Sequence, residues 1–220
     1  MPSKRFNKLP KKTRENISES IEKLLPIVKK NCTTKFDEAI DLSFQINNKQ
    51  KKNEINLRTV VNMPGGTGKK VKVAVVCEET KNKDAKDAGA DIVGGDDLIE
   101  KIKGGDLNFE KLICTTSMMI KLSKLGKVLG PKGLMPNPKL GTVTDDVKKA
   151  IKDSKSGQVE IRNDKDGNIG VTIGKKSFTD ENLIKNYNAI IEVLEKEKSN
   201  NTIKGDLIKS LFITSTMGVS

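Results

Sequence analysis

The 220-residue sequence predicts an α/β protein of two domains, one split and one inserted, and three observations carry that prediction. Alternation of apolar and polar residues, the pattern of strands with one wet face, occurs near both ends of the chain, in FDEAIDLSFQI and again in QVEIRND and NIGVTIG. Between them the apolar runs VKVAVVC, ADIVGG and FEKLICTT are short, unbroken and separated by helical segments, the grammar of a parallel sheet covered on both faces. The two grammars meet at two short linkers, Pro64–Lys70 and Lys155–Gln158. The expected architecture is a discontinuous α+β outer domain, residues 1–64 and 158–220, with a Rossmann-like three-layer α/β domain, residues 65–157, inserted into it. Adjacent crossings of that kind make a natural hinge.

In chain order, Ile17, Ile21, Leu24, Leu25 and Val28 recur at helical spacing, which predicts an amphipathic helix from about Thr13 toward Lys30, bent or broken before Pro26. Ile40, Leu42, Phe44 and Ile46 then alternate with Asp41, Ser43 and Gln45 in a first strand; NLRTVVNM is a second, and the lysine-rich NNKQKKN between them a loop. In the inserted domain TKNKDAKDAG, DDLIEKIKGG and SMMIKLSKL read as helices, as does TDDVKKAIKDSKSG with Thr144 as its cap. Past Gly157, QVEIRND and NIGVTIG flank Asp166-Gly167, a hairpin signal. Leu183, Tyr187, Ile190, Ile191 and Leu194 mark a long helix, and LIKSLFITST closes the chain as a strand.

Forty-one basic against 29 acidic residues give a net charge of +12, the electrostatic signature of a protein that neutralises phosphates. The excess is uneven: 14 basic and 7 acidic residues up to Pro64, 18 and 13 from Gly65 to Lys155, and 9 and 9 beyond, so it sits in the first two-thirds. With six Phe, one Tyr and no Trp there are too few aromatics for a platform stacking a row of bases, and backbone and shape contacts should dominate. Histidine is absent, which excludes His-dependent acid–base or nucleophilic chemistry. Cys32, Cys77 and Cys114 are odd in number and widely spaced, which fits reduced thiols in a cytosolic protein, with Cys77 and Cys114 filling the core. The N-terminus MPSKRFNKLPKKTR lacks an apolar leader region and no run approaches a membrane span, so a soluble protein is expected.

GGTGKK tempts one toward a phosphate-binding loop, but its spacing is wrong and it precedes a strand, so a linker is expected, with Lys69 and Lys70 able to touch a nucleic-acid backbone. Glu78-Glu79, Asp96-Asp97 and Asp145-Asp146 each abut a helix start, where acids offset the helix dipole; this favours a structural role over acid–base or metal chemistry. The basic run Lys4, Arg5, Lys8, Lys11, Lys12 and Arg14 is a solvated arm able to meet phosphate. LGKVLGPKGLMPNPKLGTVT, Leu125 to Thr144, combines three prolines that remove amide donors with glycines that permit close backbone approach. It reads equally as a connector packed through Leu129, Leu134 and Met135 or as a ligand site.

That stretch resembles the signature of the large-subunit ribosomal protein one family, the ribosomal stalk proteins, in its bacterial form. KFDEAIDL, GTGK, AGADIVGGDDLI, GQVEIRNDKDG, IGKKSF, KGDLIKS and the final STMG fit that family in order along nearly the whole chain. Departures are a shorter, lysine-rich segment after Ile46, CTTSMM where the family has Ala-Thr-Pro-Asp-Met-Met, and a sequence that stops at MGVS. The resemblance implies the same split and inserted fold, and a non-enzymatic protein with no cofactor, metal or small-molecule substrate. Its implied partners are large-subunit rRNA, exit-site tRNA, its own operon mRNA and other ribosomal components, all in the cytoplasm. It further implies RNA contacts at Lys35, Phe36, Asp41, Asp164, Lys165, Gly167, Ser210, Thr216, Met217 and Gly218, with Lys69, Lys127, Lys132 and Lys139 as secondary positions facing RNA or tRNA. Asp41 stands where many members carry Glu, and Asp166 where Thr is common. Ser210 and Thr216 can donate to phosphate or ribose, Gly218 admits the RNA backbone, and Met217 offers an apolar face. Phe36 reads either as a core residue orienting Lys35 or as a stacking one, and Met217 by itself would be taken as core. The rival class is an enzyme binding a nucleotide on the inserted domain; it lacks a G-x-G-x-x-G turn after its first strand, where Glu78-Glu79 would repel a pyrophosphate.

Overall fold

A computed structural model describes residues 19–47, 57–200, 206–218 and 220, the side chains of Lys139 and Asn200 excepted. The chain divides into two compact units, Met1–Gly68 with Val159–Ser220, and Lys69–Gln158.

In the split unit the alternating strand becomes the centre of the main sheet. Strand β1 (Ala39–Ile46) pairs antiparallel with β7 (Asn168–Lys175) on one side and β8 (Ile208–Ser215) on the other. Ile40, Leu42, Phe44 and Ile46 point into the core with Ile169, Val171 and Ile173 of β7. Helices α1 (Ile21–Asn31) and α7 (Asp180–Asn200) cover that face through Leu25, Val28, Leu183, Ile190 and Leu194. Each such fully buried side chain is worth roughly 1.5–3 kcal/mol of transfer free energy, so this face holds the unit together and leaves Asp41, Ser43 and Gln45 outward.

Two expectations change here. Among the described residues, α1 begins at Ile21, after an extended Ser20 (φ −63°, ψ 149°), and runs unbroken through Pro26 to Asn31; residues 13–18 of the expected helix lie outside the described residues, as do residues 48–53 of the expected loop. The proline is on the exposed side while Leu25 and Val28 anchor the helix on the core, so packing overrides the lost amide. The turn near Asp166-Gly167 forms, yet it does not join a two-stranded hairpin. β6 (Gln158–Arg162) pairs with β2 (Arg58–Asn62) in a separate sheet, and only an isolated Asn163–Ile169 bridge links the arms. Buried Asn163 explains the divergence: its amide donates to the Leu57 carbonyl (3.1 Å) and its Oδ1 accepts from the Leu57 amide (2.7 Å).

The GGTGK segment is a structural turn. Asn186 of α7, fully buried, accepts from the Gly65 amide (2.8 Å) and donates to the carbonyls of Gly66 (3.0 Å) and Ile173 (2.7 Å).

The second unit carries a parallel sheet in the order β4 (Ile92–Gly94), β3 (Val73–Val76), β5 (Lys111–Cys114). Every residue of β3 is buried: Ala74 and Val76 pack with α3 (Asp96–Lys103), α4 (Thr116–Ser123) and α5 (Gly126–Leu129), while Val73 and Val75 pack with α2 (Asn82–Asp87) and α6 (Val147–Lys155). These are the three layers that unbroken apolar strands demand. The helix cap differs from expectation. Asp146, not Thr144, accepts from the Lys149 amide, because Thr144 is tied to the sheet through the Cys114 carbonyl (3.1 Å). The Leu125–Thr144 stretch folds back over the core on Leu125, Leu129, Leu134 and Met135, and returns as a parallel bridge between Val143 and Cys114. The packed-connector reading therefore holds. Cys32, Cys77 and Cys114 are all buried and free, and burial pushes the Cys114 thiol up to about 11.

Candidate nucleic-acid interface

Because β1 is central, its outward residues lie in register with those of both neighbours. Three rows cross the sheet: Thr172, Asp41 and Thr214; Gly170, Ser43 and Phe212; Asn168, Gln45 and Ser210. Asp41 accepts from the Thr172 hydroxyl at 2.6 Å, and Ser210 donates to Gln45 Oε1 at 3.3 Å. At about 3.3 Å per residue the eight residues of β1 span about 23 Å.

Most of the residues singled out in the sequence fall at the two ends of this face. At the Ala39 end stand Lys35 and Phe36, in the bend before β1, with Thr216, Met217 and Gly218, in the turn after β8. Phe36 is 54% and Met217 48% exposed, so neither is a core residue. The Thr216 hydroxyl accepts from the Ala39 amide (3.0 Å) and contacts its carbonyl (3.3 Å), closing the sheet end, so Thr216 has a structural duty too. A Cβ at Gly218 would stand 2.3 Å from Ser215 Oγ, so a larger residue there requires the Ser215 side chain to shift.

Glu38 was not singled out, and it organises this end. It is fully buried, accepting from the Thr34 hydroxyl (2.7 Å) and amide (3.1 Å) on one side and from the Met217 amide (3.2 Å) on the other. Burial alone would raise its pKa; the Thr34 hydroxyl and the Thr34 and Met217 amides help outweigh burial and hold the carboxyl below its ordinary range. One carboxylate thus joins the Lys35–Phe36 bend to the Thr216–Gly218 turn. The signal was in the parity: Glu38 shares the inward register of Ile40, Leu42, Phe44 and Ile46.

At the Ile46 end are Ser210 and the turn after β6. Asp164 accepts from the Asn168 amide (2.6 Å) and side chain (3.1 Å), and these two donors, the backbone one foremost, keep its carboxyl below the usual carboxylate range. Its oxygens are engaged within the turn, which presents Lys165 outward, exposed. Gly167 adopts φ 81°, suited to glycine, and its carbonyl accepts from the Ile46 amide (2.7 Å), fixing the turn to the end of β1. Asp41 lies between the two ends. Ser43, Gln45, Asn168, Gly170, Thr172, Phe212 and Thr214 complete the face and were missed; each alternates in its own strand, but the register between strands distant in sequence is not written in that alternation.

Lys69, Lys127 and Lys132 belong to the other unit and are exposed; the Lys139 side chain lies outside the described residues. The sequence from Lys111 to Thr144, which includes Lys127 and Lys132, holds no acid, and it is partly balanced from elsewhere, since Lys121 pairs with Asp96 at 2.7 Å. Asp96 and Asp97 stand in the first turn of α3, Glu79 in a short 3-10 turn, and Asp145 accepts from Thr116 (2.6 Å) and Lys81 (3.2 Å); these acids support helix starts and ion pairs. Among the described residues no group of three or more His, Cys, Asp and Glu side chains could hold a metal ion, and no helix is long and apolar enough to cross a membrane.

A sequence model of the Ribosomal protein L1p/L10e family matches residues 28–219. The protein named Large ribosomal subunit protein uL1 in Pelagibacter ubique is 74% identical over 220 residues, covering 100% of this chain and 96% of its own length. The proteins of the same name in Rickettsia africae and Mycoplasma capricolum are 45% and 46% identical, covering 97% and 98% of this chain and 87% and 95% of their own.

Proposed function

Because the chain belongs to the Ribosomal protein L1p/L10e family, we propose that it is a non-enzymatic protein of the large ribosomal subunit, at work in the cytoplasm, that binds large-subunit rRNA through the outward sheet face of its split unit. The supporting observation is the convergence of residues from three distant segments, 35–41, 164–167 and 210–218, on one sheet. Hydroxyls and amides along the face suit ribose and phosphate, while Lys35 and Lys165 attract phosphate at either end. Asp41 would accept from a 2′-hydroxyl or base amine, which favours RNA geometry over bare negative charge.

The family resemblance extends the reading further. The protein forms the mobile stalk involved in release of exit-site tRNA, the second unit with Lys69, Lys127, Lys132 and Lys139 facing it, and it represses translation of its own operon mRNA by binding a similar RNA structure. An enzyme using the second unit is disfavoured: β3 leads into Glu78 and Glu79, and the relatives are named as ribosomal proteins. Filter binding tests the core of the proposal. The chain should retain a large-subunit rRNA transcript at moderate salt under which small-subunit rRNA is released; equal retention of both would reduce the interaction to charge alone.

A further inference from the structure

The two ends of the face carry the residues assigned above, and the middle carries none except Asp41. Its central row is Gly170, Ser43 and Phe212. Phe212 is 51% exposed, on the side of the sheet opposite a complete apolar core. The rest of the row is low: serine, then glycine. A Cβ built on Gly170 meets nothing within 4 Å, and its φ is outside the left-handed region, so neither crowding nor backbone geometry calls for glycine there. Glycine inside a strand weakens it and often marks a place where another chain comes close. The flanking rows, about 7 Å away along the strands, present hydroxyls, amides and the Asp41 carboxylate. An RNA that reached both ends of β1 would have to cross this row. Net positive charge draws it in, while an exposed ring beside a cleared floor suits the carbon face of a nucleoside better than phosphate.

We propose that Phe212, with the clearance over Ser43 and Gly170, is a subsite that packs against an unpaired base, or its ribose, of the RNA held at the two ends of the face. This rests on the rRNA-binding reading and adds a nucleoside contact to it. The test uses the full chain and a large-subunit rRNA transcript at moderate salt, comparing F212A, F212L, F212Y and M217A with the parent in binding and in Tm. F212A and F212L should each weaken binding about tenfold, the scale of one lost base–aromatic contact, F212Y should stay within about twofold, and Tm should hardly move. If F212A and F212L bind like the parent while M217A is weakened, the subsite is wrong and the rRNA face stands. If neither M217A nor the Phe212 variants change binding, the rRNA face falls and the subsite with it. Should F212A unfold, F212L decides, since it keeps apolar bulk and lacks the ring; parent-like binding by F212L overturns the proposal.

Discussion

Glu38 gives the residue scale its sharpest consequence. Its folded pKa lies below the ordinary 4.5, so its stabilisation is complete above that value and is lost as pH falls through the depressed folded value. Asp91, Asp145 and Asp164 are depressed as well and act in the same direction. Tm should therefore fall with acidification below about pH 4.5, and E38Q should flatten the acid limb while lowering Tm at neutral pH; an unchanged acid limb in E38Q would remove Glu38 from this role. At the same sheet end, Met217 and Thr216 separate binding from structure. M217A should weaken rRNA binding by about 1–3 kcal/mol at nearly constant Tm. T216A should weaken it too, and in addition lose about 1 kcal/mol of stability, because the Thr216 hydroxyl holds Ala39. Thermal melts beside binding isotherms check both. Sequence alone showed Thr216 near a chain end; only the pairing of β8 with β1 revealed its second duty.

At the scale of elements, alternation and apolar runs named the strands correctly because side-chain direction is a local property. What they could not name was the partner of each strand. β7 follows β6 in sequence but pairs with β1, since Asn163 ties β6 to the chain entering β2 and the apolar face of β7 completes the core over which β1 lies. Proline 26 misled for a related reason: a local cost was overridden by anchoring on either side. The Asn186 clamp is a third tertiary feature, joining the Gly65–Gly66 turn, β7 and α7. N186A leaves one amide and two carbonyls short of a partner and should cost roughly 2–4 kcal/mol, read as a lower urea midpoint with an unchanged slope. A loss well under 1 kcal/mol would show that the turn is held by other contacts.

At the scale of the whole molecule, the fold class was legible because two grammars, one-face-wet strands and fully buried strands, occupy separate parts of the chain. The candidate face was legible only through resemblance, since its residues lie in three segments and local charge does not mark them: the lysine-rich stretch from Leu125 to Thr144 is the more conspicuous basic feature, and it packs as a connector. Accordingly K127A with K132A should leave rRNA affinity of the free protein within about twofold of the parent, well below the effect expected for M217A, and should reduce only the salt-sensitive component of binding. The most direct measurement is a map of ultraviolet crosslinks between the full chain and large-subunit rRNA at moderate salt. Crosslinked peptides should contain residues 35–45, 163–172 and 210–218, the three segments that meet on the sheet. Crosslinks concentrated in residues 125–144 instead would contradict the assignment and make the lysine-rich connector the recognition surface.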